Sequence, residues 1–121
     1  MSFEPKKYGS KRPEAILQAA IIQMLENYGW MVKPTHGNAY TDGWPDLFCT
    51  HMVNGIRWVE VKLPDFKGSK WTEAQLRDFP KFCKNGAGIW ILTGATDEEY
   101  RKLFAKFNYW KYLQIFKSLK R

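Results

Sequence analysis

A stripe of apolar side chains at helical spacing is the first pattern along the chain. Its members recur every three or four residues, and they are Leu17, Ile21, Met24, Leu25 and Tyr28. This spacing predicts an amphipathic helix over residues 14–28. Pro13 suits the first turn, because its missing N–H has no intrahelical partner there, and Gly29 is a typical helix terminator.

Short runs rich in β-branched and aromatic residues predict strands at 30–33, 46–51, 56–63 and 88–93. Asn54-Gly55, between the second and third runs, is a strong signal for a hairpin with a two-residue turn. The fourth run is continuously apolar from Ile89 to Leu92. Such a run is typical of a strand that is buried on both faces.

The remaining helices begin at residues that favour N-caps. Thr72 opens one of them, and Pro80 is expected to kink or split it. Thr96, followed by three acidic residues, opens another that reaches to Phe107. A last helix covers residues 109–120. The predicted order of elements is therefore α-β-β-β-α-β-α-α.

The composition is that of one small globular domain. The chain has 121 residues, of which 45% are hydrophobic, which is enough for a packed core and too many for a disordered chain. No apolar stretch approaches the roughly 18 residues of a membrane span, and the N-terminus lacks a signal-peptide pattern. We therefore expect an intracellular, cytoplasmic protein with no membrane partner. Cys49 and Cys83 lie in apolar surroundings, which favours buried thiols over a disulfide or a zinc site.

The net charge of +7 is unevenly distributed. Residues 1–100 hold equal numbers of acidic and basic side chains, so the whole excess lies in residues 101–121. A basic segment favours a polyanion, with nucleic acid first and an acidic membrane surface second. A solvated helix face is the structural alternative. We expect a basic arm at 1–12, a core at 13–96 and a basic, aromatic helical extension of the same domain at 97–121. The expected DNA contacts are Lys6, Lys7, Lys11, Arg12, Lys102, Lys106, Lys111, Lys117, Lys120 and Arg121.

Three charged residues meet at one end of the predicted hairpin. Glu60 and Lys62 are two residues apart on a strand and share a face. The predicted turn lies midway between Asp46 and Lys62, so strand pairing brings Asp46 near Glu60 and Lys62. Two carboxylates beside an ammonium form a cation site, and oxygen ligands with open water positions suit Mg²⁺ or Mn²⁺. A solvent-exposed ion pair at the end of a hairpin satisfies the same pattern.

Two further residues allow a structural and a functional interpretation. Glu14 shares the face of the apolar stripe, where a carboxylate needs a cation or donors, and it also suits the first turn of a helix. Thr72-x-x-Gln75 is a capping-box pattern that explains Gln75 by itself. A site role for Gln75 requires the start of its helix to abut the sheet edge. His36 and His51 are weaker candidates for a metal or base role.

Four motifs occur in a fixed order, and they are Glu14, Gly43-x-Pro45-Asp46, Glu60-x-Lys62 and Thr72-x-x-Gln75. Together they resemble the VRR-NUC (virus-type replication-repair nuclease) domains of the PD-(D/E)XK nuclease superfamily, over residues 14–93. The resemblance implies a restriction-endonuclease-like α/β core, with a small mixed β-sheet flanked by helices. Trp71 stands where a leucine commonly precedes the threonine. We expect this change of size to leave the chemistry intact.

The resemblance also implies catalytic roles. The implied metal ligands are Asp46, Glu60, the Val61 backbone carbonyl and, through water or a second ion, Glu14. Lys62 would position the attacking water, and Gln75 would orient Lys62 or the water. The implied cofactor is Mg²⁺ or Mn²⁺.

For the whole chain, the resemblance implies a homodimeric DNA endonuclease that acts on branched DNA such as four-way junctions. Its products would carry a 5′-phosphate and a 3′-hydroxyl. Residues 100–116 hold seven aromatic side chains in helical stripes, which either stack on unpaired bases or cover the sheet or a subunit interface. The alternatives are a restriction-type or non-specific DNase and a non-catalytic nucleic-acid-binding module. The intact trio of Asp46, Glu60 and Lys62 favours catalysis, because a binding module does not need it.

Overall fold

The computed structural model describes residues 13–35, 42–64 and 69–119. The helices are α1 (Pro13–Asn27), α2 (Glu73–Lys84), α3 (Asp97–Arg101) and α4 (Tyr109–Leu119), and a 3-10 helix (Lys102–Phe104) follows α3 directly. The strands are β1 (Met31–Pro34), β2 (Leu47–His51), β3 (Gly55–Val61) and β4 (Ile89–Leu92). The predicted order of helices and strands is confirmed, with the 3-10 helix as an addition.

The strands form one mixed sheet in the order β1-β2-β3-β4. The β1–β2 and β2–β3 pairs are antiparallel, and β3 and β4 are parallel. The parallel pair follows from the connection, because α2 carries the chain back across the sheet before β4 begins. In the β2–β3 pair, Leu47 lies opposite Val59 and Phe48 opposite Trp58. The predicted mixed sheet with flanking helices is confirmed.

Two apolar cores lie on opposite faces of this sheet. The core beneath α1 includes Ile21, Met24, Leu25, Leu47, Val59, Val61, Leu92 and Leu103. The core beneath α2 and α4 includes Trp71, Phe79, Ile89, Ile91, Tyr109 and Leu113. Alternation along β3 sends Val59 and Val61 to the first core, so Trp58 and Glu60 face α2 and α4. The predicted charged site therefore lies on the α2 face.

Asn108 covers the open edge of β4. Its Oδ1 accepts the Ile91 N–H at 2.6 Å, and its Nδ2 donates to the Ile91 carbonyl at 3.1 Å. One side-chain amide thus replaces a neighbouring strand at this residue. Such covering removes part of an unpaired strand edge that could otherwise pair with another chain.

The hairpin turn differs from the prediction. His51 pairs with Gly55, so the turn comprises three residues, 52–54, rather than the two-residue turn Asn54-Gly55. Gly55 has a φ of +82° and begins the returning strand. A glycine adopts this left-handed conformation without steric cost, so it serves at the end of a longer turn as well as within a short one.

Pro80 does not split the second helix, and α2 runs through it from Glu73 to Lys84. Proline removes the N–H that would bond to the Leu76 carbonyl. Leu76 is exposed, so water can satisfy that carbonyl. Burial of Phe79 and Cys83 on either side holds the helix against the sheet.

The helix that begins after Thr96 ends earlier than predicted. Instead of reaching Phe107, α3 gives way to the 3-10 helix, and the backbone is extended at Ala105. Side chains from the sheet bind the carbonyls at this point, because Arg57 Nε donates to Leu103 O and Trp90 Nε1 donates to Ala105 O. These hydrogen bonds use carbonyl groups that a continued helix would need for its own backbone hydrogen bonds.

Tyr28 also departs from the predicted core stripe. Its ring stacks on Tyr100 with centroids 4.0 Å apart, and its hydroxyl donates to Asp97 Oδ1 at 2.6 Å. More than a third of the residue remains exposed. Tyr28 therefore joins α1 to α3 at the surface instead of filling the core.

Candidate active site

Asp46 and Glu60 lie side by side where β2 begins and β3 ends. The Asp46 N–H donates to Glu60 Oε1 at 3.0 Å, and the Val61 N–H donates to Asp46 Oδ2 at 2.8 Å. Asp46 is 6% exposed and Glu60 is 1% exposed. Strand pairing thus brings the two carboxylates together as expected, and their burial excludes the solvent-exposed ion pair.

Lys62 is buried directly beyond β3. Its Nζ lies 3.4 Å from Glu60 Oε2, donates to the Lys70 carbonyl at 2.6 Å and donates to Gln75 Oε1 at 3.1 Å. The same nitrogen lies 4.5 Å from the centre of the Trp71 ring, a cation–π distance. These contacts approach the ammonium from several elements and hold it in one place.

Gln75 satisfies both interpretations that its sequence allows. Its Oε1 accepts the Thr72 N–H at 3.2 Å, and the Thr72 hydroxyl accepts the Gln75 N–H at 3.1 Å, which completes a capping box. Its Nε2 donates to Glu60 Oε2 at 2.8 Å. The start of α2 therefore abuts the strand ends, and one amide links the helix cap to Glu60 and Lys62.

Glu14 reaches the edge of this group through a serine. It is half-buried in the first turn of α1, and its Oε2 accepts the Ser69 hydroxyl at 2.5 Å. Ser69 in turn accepts the Leu63 N–H at 2.9 Å. Glu14 contributes to the electrostatics of Glu60, where its charge raises the pKa of that carboxyl.

The carboxylate pair is electrostatically unfavourable without a further cation. Burial raises the pKa of Glu60 well above its ordinary value, and the negative charge of Asp46 raises it further. The Lys62 ammonium and the Asp46 N–H act in the opposite direction on that pKa. One buried ammonium faces two buried carboxylates, so the site favours an additional positive charge.

The donor set fits a magnesium-like ion. In the described ranges 13–35, 42–64 and 69–119, no group of three or more His, Cys, Asp or Glu side chains could hold a metal ion. Two carboxylates with a neighbouring backbone carbonyl suit Mg²⁺, which keeps several waters and takes one or two carboxylates. A carboxylate oxygen has two lone pairs, so one that accepts an N–H is still able to ligate an ion.

Trp71 contributes contacts to the site in addition to its size. Its ring contacts the Lys62 ammonium and lies edge-on to Phe79 and Tyr109. Ser69 and the Lys70 carbonyl also take part in the site, and the sequence analysis did not predict them. The unusual tryptophan beside the capping box was the available signal for Trp71, whereas a backbone carbonyl leaves no mark in a sequence.

The basic residues expected to contact DNA fall into two sets. Lys102, Lys106 and Lys111 line a cleft of about 340 Å³ together with Asn108 and Tyr112. Lys102 Nζ lies 2.5 Å from Glu99 Oε2 and donates to the Tyr112 hydroxyl at 2.8 Å, so it is engaged within the protein. The other set lies outside the residues whose side chains are described, and it comprises Lys6, Lys7, Lys11, Arg12, Lys117, Lys120 and Arg121.

Neither His51 nor the two cysteines join the site. His51 Nδ1 accepts the N–H groups of Val53 and Asn54, so the ring stabilises the hairpin turn, and His36 lies outside the described residues. Cys49 and Cys83 are free and buried, as expected. Burial raises the pKa of the Cys49 thiol to about 12 and that of Cys83 to about 11. Both thiols stay protonated at neutral pH.

The fold is that of a nuclease-type α/β domain. A solved structure described as a VRR_NUC domain is similar to this chain, with 25% sequence identity and a TM-score of 0.58. The matched region covers 76% of this chain and 95% of that chain. Comparison with protein-family models and with curated proteins gave no match.

This likeness supports a VRR-NUC domain, which confirms the family that the four motifs predict. Among the described residues, no helix combines the length and apolar character that crossing a bilayer requires.

Proposed function

We propose that the chain is a divalent-metal-dependent DNA endonuclease whose products carry a 5′-phosphate and a 3′-hydroxyl. The observation that carries this proposal is the buried contact of Asp46 and Glu60 with Lys62 and Gln75 beside them. Burying this set has a cost in stability. A function in catalysis accounts for that cost, and the likeness to a VRR_NUC domain supports the same function.

Asp46, Glu60 and the Val61 carbonyl are the proposed ligands of Mg²⁺ or Mn²⁺, with Glu14 acting at longer range. The ion, when bound, supplies the Lewis acidity that phosphodiester hydrolysis needs. The two carboxylates are held by backbone N–H groups, so they are oriented before any ligand arrives. Pre-orientation lowers the reorganisation needed during the reaction.

Lys62 is the proposed positioning group for the attacking water. Water attacks phosphorus, the bond from phosphorus to the 3′ oxygen breaks, and that oxygen leaves with a proton as a 3′-hydroxyl. The phosphate stays on the 5′ end of the other product. The Lys62 ammonium also offsets charge that develops on the phosphate oxygens. Gln75 keeps Lys62 and Glu60 at their observed distances.

The proposed substrate is branched DNA, cut by a homodimer in an intracellular compartment. Two copies supply two sites for two strands, which suits a junction. Half-exposed aromatic surface supports the dimer, since Phe104 and Trp110 remain exposed at 50% and 39% although Tyr109 is fully buried. Lys106 and Lys111 line the basic cleft and would meet phosphates.

A nuclease assay on linear, flapped and four-way DNA, with Mg²⁺ and with chelator, tests the proposal. Asp46→Asn and Glu60→Gln should abolish cleavage, because each removes one of two charged ligands. Glu26→Gln is the matched control, since it makes the same change on an exposed carboxylate of α1. Robust cutting in chelator, or wild-type rates in both site variants, contradicts the metal mechanism.

Lys62→Ala separates the role of the lysine from that of the metal ligands. The variant should lose turnover while it keeps much of its affinity for the ion, as measured by single-turnover kinetics and by calorimetry. Lys84→Ala, on an exposed position of α2, is the control. A Lys62→Ala protein that retains its rate but loses the ion contradicts the assignment. Binding of DNA without any cleavage would favour the non-catalytic module.

A further inference from the structure

Four aromatic rings form a layer beside the carboxylate pair, which we name the aromatic shelf: Trp44, Phe48, Trp58 and Phe82. Trp44 stands edge-on to Trp58 at 5.6 Å and to Phe82 at 6.2 Å between centroids. Phe48 and Phe82 lie 4.8 Å and 6.4 Å from Trp58. Trp44 is 42% exposed and the other three are half-buried, so Trp44 is the outer ring.

The segment that carries Trp44 is tightly anchored. Gly43 has a φ of +83°, and a side chain there would meet Asp78 and the Ala74 carbonyl of α2. After Trp44, the Asp46 carbonyl accepts the Thr35 N–H at 2.9 Å. These anchors fix the backbone on both sides of Trp44, and the edge contacts with Trp58 and Phe82 position its exposed ring.

The shelf adjoins the proposed catalytic residues. Trp58 precedes Glu60 by two residues on the same strand face, a separation of about 7 Å. Each strand of a duplex carries one phosphate per about 3.4 Å of helix axis, and an unstacked strand extends further, so this distance spans at most about two nucleotides. Lys33 lies opposite Phe48 across β1 and β2 and is exposed on the same face. A cation for backbone phosphates is therefore present at the far side of the shelf.

We infer that the aromatic shelf binds an unpaired nucleobase next to the phosphate that is cleaved, with Trp44 as the stacking ring. The inference rests on the proposed nuclease function and assigns the feature of branched DNA that the site recognises. Every base has a π-face that stacks on an aromatic side chain. In a continuous duplex that face is covered by neighbouring bases, whereas at a flap or junction it becomes available.

The small exposed area argues for a base rather than a protein. A stable protein interface buries about 800 Å² on each partner, whereas an aromatic side chain contributes about 150–250 Å². The exposed part of the shelf is largely one ring, which matches the face of one base. A second copy of the chain remains an outcome that the test can report.

The experiment uses flapped DNA with 2-aminopurine at the first unpaired position, in chelator so that no cleavage occurs. Binding to the full-length protein should quench the probe through stacking. Trp44→Ala and Trp44→Leu should lose that quenching, and Trp44→Phe should retain most of it. Met52→Ala removes an exposed apolar side chain of the hairpin turn, outside the shelf, and should behave as the wild type. If Trp44→Ala fails to fold, the comparison of Trp44→Leu with Trp44→Phe still tests the loss of quenching.

A second readout compares kcat/KM on flapped DNA with that on a fully paired duplex of the same sequence. Loss of one base–aromatic stack should lower the ratio about tenfold to a hundredfold in Trp44→Leu relative to Trp44→Phe. An unchanged ratio in a protein that cuts DNA overturns the shelf but leaves the nuclease proposal in place. Quenching that depends on Trp44 in a protein that never cuts supports the shelf and overturns the nuclease proposal.

Light scattering, which measures the mass of the protein in solution, distinguishes base binding from association of two copies. If Trp44→Leu converts a dimer to a monomer and quenching is unchanged, the shelf is an interface between copies and the inference is overturned. If the mass is unchanged and quenching is lost, the base-binding role is supported.

Discussion

Gln75→Ala is the substitution whose consequence the structure defines most sharply. The change removes an amide that donates to Glu60, accepts from Lys62 and accepts from the Thr72 N–H. Glu60 and Lys62 are both almost completely buried. Truncation therefore leaves two buried charges with one partner fewer each, as well as an incomplete helix cap.

The expected size of the effect follows from these hydrogen bonds. A hydrogen bond to a charged group is worth about 1.5–3 kcal/mol, and its loss in a buried place costs at least as much. A cap contributes about 0.5–2 kcal/mol. Because the bonds share one amide and are not additive, we expect Gln75→Ala to lower the free energy of unfolding by about 3–5 kcal/mol. A small domain has about 5–15 kcal/mol in total, so a loss of this size should appear as a clearly lower urea midpoint at 25 °C.

Thr72→Ala is the matched control. It removes the hydroxyl that accepts the Gln75 N–H and leaves the bonds to Glu60 and Lys62 intact, so its cost should stay within about 0.5–2 kcal/mol. Urea unfolding of both variants in chelator measures the difference. Single-turnover kinetics on the folded protein should show a larger loss for Gln75→Ala than for Thr72→Ala.

A double-mutant cycle isolates the bond to the carboxylate. Gln75→Ala combined with Glu60→Ala should show a coupling energy of about 1.5–3 kcal/mol. Equal destabilisation by Gln75→Ala and Thr72→Ala, or a coupling within the roughly 0.5 kcal/mol expected of independent sites, would show that Gln75 serves only as a capping residue. The reasoning about the buried charges would then be refuted.

Other consequences follow from the fold. Asn108→Ala should lower the free energy of unfolding in urea by about 1–2 kcal/mol and increase association at high concentration, because it uncovers the β4 edge. Asn85→Ala is the control. Equal effects of the two substitutions would contradict an edge-covering role. Gly43→Ala should destabilise the protein more than Gly55→Ala does. Both glycines have a positive φ, but of the two only Gly43 has atoms within 4 Å of an added Cβ. A lower melting temperature for Gly55→Ala than for Gly43→Ala would contradict the close packing at Gly43. Removing residues 117–121 should flatten the salt dependence of DNA binding, by about 0.9 in log–log slope for each phosphate that the shortened chain no longer neutralises. A monomer mass in light scattering and an unchanged slope would contradict both the dimer and the role of the basic C-terminus in DNA binding.

Local patterns predicted elements well where packing and propensity agree. The helix that begins at Pro13 and the hairpin were both expected, since helical spacing, a terminating glycine and a turn signal act over a few residues. Local signals failed where distant groups intervene. The early end of α3 depends on Arg57 and Trp90, which bind carbonyls of residues 103 and 105 from the sheet. The unbroken α2 depends on burial around Pro80.

Within the site, the contact between Asp46 and Glu60 was predictable from the sequence alone. The position of a turn determines which residues of the two strands lie opposite each other, and the two-residue period of a strand determines which side chains share a face. A two-residue turn at 54–55 would place Asp46 opposite Leu63, whereas the observed register places it opposite Glu60, one step beyond the Leu47–Val59 pair. The prediction that Asp46 lies near Glu60 holds despite this shift of three residues.

The tertiary structure determines the environment of that contact. Only the packing of α2 and α4 on one face buries Glu60 and Lys62, and only the position of α2 allows Gln75 to reach both of them. Trp71 and Trp44 likewise acquire neighbours from distant parts of the chain. Burial is a property of the whole packed molecule, whereas a sequence pattern records neighbours along the chain; the pKa of Glu60 therefore depends on tertiary structure.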